Sequence, residues 1–516
     1  MTRTLPLFSI LGVFVAFGLS IAAAMSNAGW VFEYPLDDVY IHLAMAEQLA
    51  AGGYGVNAGE FASAASSPLY PVLLLPFAGT DLQAWLPLLW NLFGMGLAAW
   101  FWGRILILAG YAEDGLKPIG LIAAFLGPIA LNMFGVAFTG MEHSLHTAAS
   151  LAVIYGLLKL VKTDAMNIAL LAGVFFASAM RLEGLALGLL AAVVVLRQKG
   201  LIPSLVTAVL SLLPVLIFVG ALTSIGLDPL PESVQAKLVG EEDVNMPLME
   251  RVMGTHILNR QVPAGLMLHL TSIAVLLVTV IQLSQKKSAY LATASIGVTV
   301  FFACQAHLMF GQIGWMDRYE GYIWAVTAAG LMIVASGAQK WLPALAAIGV
   351  IAAGTVVYVN TWTHGFPWNI RAIYLQPHQS ARFAQDYAQV NVAVNDLGLV
   401  AWQNENYVLD LWGLASAEAR HIRQNAPVQG WAEPLTQRHD VPLAMIYDSW
   451  LTKAIGEDWV KLGELRLVIS AGFLGDDHVS YYATSPEHVA PLLAALQDWV
   501  PTLPDGAYFE YDPGVE

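Results

Sequence analysis

The strongest constraint on this chain is its series of apolar segments. Residues 5–25 form a predominantly apolar run behind Arg3, long enough to cross a hydrocarbon core of about 30 Å. Further runs fall at 83–108, 118–138, 143–161, 166–180, 184–197, 201–225, 263–283, 290–311, 319–337 and 341–359. In lipid every backbone polar group must be satisfied within the segment, so each run is expected to be a helix. Charged residues make up only 12% of the 516, about half the share of a soluble domain. The expectation is an α-helical polytopic membrane protein with about eleven spans. The Ala22-Ala23-Ala24 sequence resembles a signal-peptidase site, but the first run is long for a signal peptide and reads as an uncleaved anchor. The two runs flanking Arg181-Leu182-Glu183-Gly184 are short and read as a kinked hairpin.

Positive charge sets the orientation. With the N-terminus in the cytoplasm, the connections on that side carry Lys117, Lys159, Lys162, Arg197, Lys199, Lys286, Lys287 and Lys340, which is the positive-inside pattern. The other side receives the first loop (26–82), Gly140-Met141-Glu142-His143, the Arg181 turn, the 226–262 loop, Asp317-Arg318-Tyr319-Glu320 and everything after 360. A multi-pass protein of a bacterial cytoplasmic membrane is expected, with its chemically versatile residues gathered on the outer side. The 226–262 loop, with Pro229, Pro231 and Pro247, is expected to close over bound donor.

Beyond residue 360 the spans stop. Residues 361–516 hold 19 acidic against 8 basic side chains, and nothing in the chain is basic enough for nucleic acid. Strands are expected at 392–402, 407–411, 443–447, 465–469 and 479–483, and helices at 380–388, 415–423 and after Ser485-Pro486. This predicts two domains: a membrane domain over 1–360 and an extracytoplasmic α/β domain over 361–516. Cys304, the single cysteine, lies in an apolar run and reads as a core thiol.

The polar clusters each admit two readings. Asp37 and Asp38 stand at an interface, where unpaired carboxylates are costly. The helix after them carries Val39, Leu43, Ala46 and Ala50 on one stripe, so Asp38 is either its N-cap or part of a catalytic pair. Glu142 caps the next helix or serves a site. Arg181 and Glu183 pair at a turn or bind substrate, and Lys237 is a solvated loop charge or a ligand for phosphate. Tyr319 is an interfacial anchor or a site residue. His42, His143 and His146 have no carboxylate or cysteine at ligand spacing, so no metal site is expected from them. Paired carboxylates, several cations and a membrane-facing surface together suit transfer from a lipid phosphate. A cation stabilises the negative charge on the departing phosphate, and a carboxylate takes the proton of an incoming hydroxyl.

Several motifs occur in a fixed order: Asp37-Asp38-Val39-Tyr40-Ile41, Gly55-Val56-Asn57-Ala58-Gly59-Glu60, Ser66-Ser67-Pro68-Leu69-Tyr70, Thr139-Gly140-Met141-Glu142, Arg181-Leu182-Glu183-Gly184 and Pro231-Glu232-Ser233-Val234-Gln235-Ala236-Lys237. Asp317-Arg318-Tyr319, Asn395-Asp396-Leu397-Gly398 and Asp410-Leu411-Trp412-Gly413-Leu414 follow. Over nearly the whole chain up to about residue 414 this resembles the GT-C fold, polyprenyl-phosphate-sugar-dependent glycosyltransferases, and most closely the group containing the mycobacterial terminal arabinofuranosyltransferases. The resemblance implies inverting transfer from a polyprenyl phosphate sugar to a glycan or lipid acceptor outside the membrane. It makes an acidic residue of the first outer loop the base, which maps onto Asp37 or Asp38; Asp37 is the first choice, with Asp38 orienting it or the acceptor. Lys237, Arg318 and Arg181 are then expected to hold the donor phosphate. Glu60, Asn57, Glu142, His143, Glu183 and Tyr319 are expected at the substrate. The chain departs from the family at Leu182, where proline is usual, at His42-Leu43-Ala44-Met45, where an arginine is frequent, and in the bland Phe61-Ala62-Ser63-Ala64-Ala65 segment.

No organic cofactor is called for, and a divalent-cation requirement is left open. A glycan ligase, a flippase for lipid-linked sugars and a non-catalytic assembly subunit are the competing readings. A transporter would concentrate its charges near the midplane, whereas here they collect toward one rim.

Overall fold

The computed structural model describes residues 4–238, 246–285, 288–425 and 427–515. Helices occupy all eleven expected positions, and the protein is an α-helical multi-pass membrane protein with a small mixed-sheet domain at its C-terminal end. Among the described residues eight helical runs are long and apolar enough to cross a bilayer. Three of the expected spans fall short. Ile168–Met180 has 13 residues, and Gly184–Lys199 and Gly321–Ser336 have 16 each. At 1.5 Å per residue these cover roughly 20–24 Å, less than a hydrocarbon core. Gly321–Ser336 is buried on nearly every face, so it is lined by protein and need not match the thickness of lipid.

The expected 118–138 span is interrupted. Helix Lys117–Ala130 ends, Asn132 takes a left-handed φ of 53°, and Met133–Phe138 resumes. The Asn132 side chain accepts from the Trp362 indole N–H at 2.8 Å and donates to the Asp317 carbonyl at 3.4 Å. The break therefore supplies a polar anchor beneath the site.

At the end of the bundle bearing the C-terminal domain, helix Asp38–Ala50 is buried along its whole first half, from Val39 to Ala46. The single-stripe expectation was too narrow: membrane-domain segments cover one side of this helix and residues 398–401 cover another. The apolar piece after Ser67 is one helical turn, Tyr70–Leu73. Pro71 and Pro76 limit it, and the Tyr70 hydroxyl donates to the Gly140 carbonyl at 2.5 Å.

Helix Leu342–Asn360 runs on through Thr361–Gly365 into Phe366–Leu375, so the chain crosses residue 360 without a break in helical backbone. The sheet comprises β1 (Val392–Val394), β2 (Val408–Asp410), β3 (Leu443–Ile446), β4 (Val460–Leu467), β5 (His478–Ala483) and β6 (Ala507–Tyr511), in the order β2-β1-β3-β5-β4-β6. β1 is parallel to β2 and β3, and the other pairs are antiparallel. The strand expected over 392–402 ends at Val394, because the chain turns into the short helix Gly398–Ala401. β4 begins five residues before the expected 465, and β6 was not anticipated. The expected helices correspond to Pro377–Arg382 with Phe383–Ala388, to Ala417–Gln424, and to Val489–Trp499 behind a single 3-10 turn at Pro486–His488. Cys304 is buried and unbridged.

Candidate active site

The two adjacent aspartates face different structures. Asp37 occupies the N-cap position of helix Asp38–Ala50 but makes no side-chain bond to it. Its carboxylate instead accepts the backbone N–H of Gly398 at 2.6 Å and of Leu399 at 2.8 Å. Gly398 is needed at this contact, since a Cβ there would lie 2.0 Å from the Asp37 carbonyl oxygen. Burial and the neighbouring Asp396 push the Asp37 carboxyl up, and the two amide hydrogen bonds offset this only in part. Asp38 turns the other way, onto the wall of a cavity of about 540 Å³ between the membrane helices and the C-terminal domain. Arg318 donates to it through Nη2.

Arg318 is 1% exposed. Its Nη2 also donates to the Tyr319 hydroxyl at 3.1 Å, while Nε and Nη1 find no protein acceptor among the described residues. A buried cation with unused donors is costly unless something else accepts from it.

Behind the cavity wall lies a second charged group. Arg181 donates to Glu142 at 2.7 Å and to Glu183 at 2.7 Å. The Tyr319 ring lies 5.5 Å from the guanidinium of Arg181 and 4.8 Å from that of Arg318. His42 Nε2 approaches Glu142 at 3.9 Å, and the His143 ring meets Tyr319 edge-on at 5.7 Å. The structure thus brings Asp38, Arg318, Tyr319, His143, Glu142, Arg181 and Glu183 into one continuous cluster from four separate chain segments.

Two expected substrate residues are engaged elsewhere. Asn57 pairs with the backbone of Val408, donating to its carbonyl and accepting its N–H, both at 2.9 Å. Glu60 accepts from Asn57 at 2.9 Å and from the Tyr407 hydroxyl at 3.3 Å. Both fasten the first outer loop to edge strand β2. Glu33 with His378 and Asn369 with the Pro35 carbonyl strengthen the same seam. Lys237 lies in helix Glu232–Leu238, but its side chain falls outside the described residues, as do Glu241, Glu242 and Asp243.

The cavity also contains residues that the sequence does not single out as site candidates. Asp396, Trp412 and Trp450 reach it from the C-terminal domain, and Trp315 from the loop before Arg318. Burial, opposed by the Tyr447 hydroxyl and reinforced by the charges of Asp38 and Asp410, pushes Asp396 up to about 6. Asp396 and Trp412 sit within two of the ordered motifs, which was the signal available; Trp450 and Trp315 had none. Asp410 folds the loop bearing Trp412 by accepting the N–H groups of Trp412, Gly413 and Ala415 at 2.7–3.0 Å. Among the described residues one group, Asp476, Asp477 and His478, brings three potential metal ligands within 4.8 Å of one another.

A family profile described as Domain of unknown function (DUF8728) matches residues 368–482. No curated protein matches the chain. Two crystal structures of ArnT from Cupriavidus metallidurans match the chain. The one bound to undecaprenyl phosphate is 12% identical and the apo form 14%. Each gives a TM-score of 0.43, with 92% of this chain and 98% of that chain covered.

Proposed function

We propose that the protein transfers a sugar from a polyprenyl phosphate donor to an acceptor hydroxyl on the outer side of the cytoplasmic membrane. The observation that carries this reading is Asp38 on the wall of the 540 Å³ cavity, paired with the buried Arg318 behind it. It sets a carboxylate beside a buried cation with donors to spare. The ordered motifs of the sequence support the same chemistry.

In this reading Asp38 is the general base. It takes the acceptor hydroxyl proton as that oxygen attacks the anomeric carbon, and the bond from that carbon to the phosphate oxygen breaks. The bonding pair leaves with the phosphate, and the positive charge of Arg318, close behind the cavity wall, offsets the growing negative charge. Attack from the face opposite the phosphate inverts the anomeric centre. Asp37, with both oxygens on backbone amides, holds the C-terminal domain over the site. Arg181, clamped by Glu142 and Glu183, braces Tyr319 and so the orientation of Arg318. Asn57 and Glu60 act at the seam and not on the sugar. A donor anchored in the bilayer needs no nucleotide-binding domain.

The test is incubation of purified protein with a panel of radiolabelled polyprenyl phosphate sugars and a membrane glycan extract. Turnover of one donor, with inversion in the product and loss of turnover in Asp38→Asn, supports the reading. Donors that remain intact across the panel overturn it.

A further inference from the structure

Three tryptophans from three separate segments line the cavity that holds Asp38 and Asp396. Trp412 follows β2 and Trp450 follows β3. Their ring centroids are 5.0 Å apart with planes at 45°, so together they form an open angle and not a stack. Both are braced from behind. The Arg423 guanidinium lies 3.9 Å from the Trp412 ring, and its Nε donates to the Trp412 carbonyl at 3.0 Å. Tyr447 meets Trp450 edge-on at 5.2 Å. A Cβ on Gly475 would fall 2.3 Å from the Trp450 ring, so a glycine makes room for it.

Trp315 is held by other means. Gly314, Trp315, Met316 and Asp317 all have positive φ, at 93°, 49°, 62° and 54°. Left-handed backbone is uncommon for residues other than glycine, and a run of three persists only where the surroundings fix it. Here the Gly314 N–H donates to Glu320 at 2.9 Å, the Asp317 carboxylate accepts from Thr361 at 2.6 Å, and Met316 is buried. The anchored turn leaves one large side chain outside: Trp315 is 48% exposed, on the cavity wall. An exposed tryptophan near a bilayer is ordinarily an interfacial anchor. An anchor would not share a cavity with two carboxylates and two further indoles.

We propose that Trp315, Trp412 and Trp450 form the acceptor subsite and that the acceptor is a carbohydrate chain, not a lipid. A sugar ring has apolar C–H faces, which lie well on the flat, electron-rich face of an indole. It also has a rim of hydroxyls, which Asp38 and Asp396 accept. A lipid acceptor would use the indoles but bring no rim of hydroxyls to the two carboxylates on the cavity wall. This inference rests on reading the cavity as a transfer site: the glycan hydroxyl that reaches Asp38 is the nucleophile.

The test needs no donor. Full-length protein in detergent is titrated with linear hexasaccharides of glucose, mannose, galactose and arabinose, and binding is read on the glycan protons by saturation-transfer NMR. At least one hexasaccharide should bind at millimolar concentration. Trp412→Ala and Trp315→Ala should each weaken that binding by about tenfold, the scale of one lost aromatic contact. Trp412→Phe should keep most of it, and Trp30→Ala, at a surface position 71% exposed, should change nothing. Trp315 is half exposed, so loss of binding in Trp315→Ala cannot be assigned to unfolding. If none of the four binds, or if the cavity variants bind as the wild type does, the subsite is overturned. Glycan binding without turnover of any donor would leave this subsite standing and refute the proposed reaction instead.

Discussion

Exchange of each aspartate for asparagine separates catalysis from architecture at adjacent positions. Asp38→Asn removes the proposed base and keeps an oxygen for Arg318. A general base contributes about 10²–10⁴ in rate, so the barrier should rise by roughly 3–5 kcal/mol. The cost in stability should be smaller. Breaking a fully buried ion pair costs about 3–5 kcal/mol, but the Asp38 side chain is 25% exposed and its amide replacement still accepts a hydrogen bond. Asp37→Asn has the opposite signature. Its carboxylate accepts two backbone N–H groups, and an asparagine has a single acceptor oxygen. One of those N–H groups is then left facing an amide N–H₂, at a cost of about 1–3 kcal/mol. Transfer per folded molecule should stay within about tenfold of wild type, below the range of a lost base.

The assay is donor turnover at saturating donor, normalised to folded protein by size exclusion, with thermal unfolding of each variant recorded in the same detergent. A 10²-fold loss in Asp37→Asn with an unchanged melting temperature would refute the assignment. So would near-normal turnover in Asp38→Asn. If both variants transfer normally, the proton goes to neither residue, and Asp396 and Glu142 become the bases to test.

Arg181→Ala should destabilise the protein by about 3–5 kcal/mol, because it strands the fully buried Glu142; an unchanged melting temperature would count against this role of the pair. Asp396 binds its proton more tightly in the fold than in the unfolded chain, so its contribution to stability is full below about pH 3.9 and is lost as pH rises through about 6. Asp396→Asn should therefore flatten the fall in melting temperature across that window, and a profile parallel to wild type would count against it. Gly398→Ala should cost about 1–3 kcal/mol by overpacking against Asp37, seen as a lower melting temperature with little change in turnover. A reporter active only outside the cytoplasm, fused after Glu516, should function; activity of a cytoplasmic reporter alone would reverse the orientation.

What the sequence disclosed follows from how locally each feature is encoded. Apolar runs are local, and all eleven reappear as helices. The clustering of Asp38, Glu142, Arg181 and Arg318 could be anticipated, because alternating spans place every second connection on one side. Contacts set by tertiary packing were not legible. Nothing near Asn57 indicates that its amide would pair with Val408, 351 positions away. The shortness of Gly321–Ser336 depends on neighbours that shield it from lipid, and Trp315 reaches the cavity through a left-handed turn that only Gly314 hints at.

The aspartate pair shows the limit most clearly. Asp37 already has helical backbone angles, φ −66° and ψ −31°, so successive side chains diverge by about 100° around the axis. Two adjacent carboxylates on such a backbone leave the axis in different directions. One points toward residues 398–399 and the other toward the membrane-side cavity. Sequence gives their adjacency but not the rotation of the helix about its axis, which is set by the burial of Val39, Leu43 and Ala46. That rotation assigns the cavity to Asp38. A two-residue acidic motif at a helix start should therefore be read as one residue for each of two faces, with the choice made by packing.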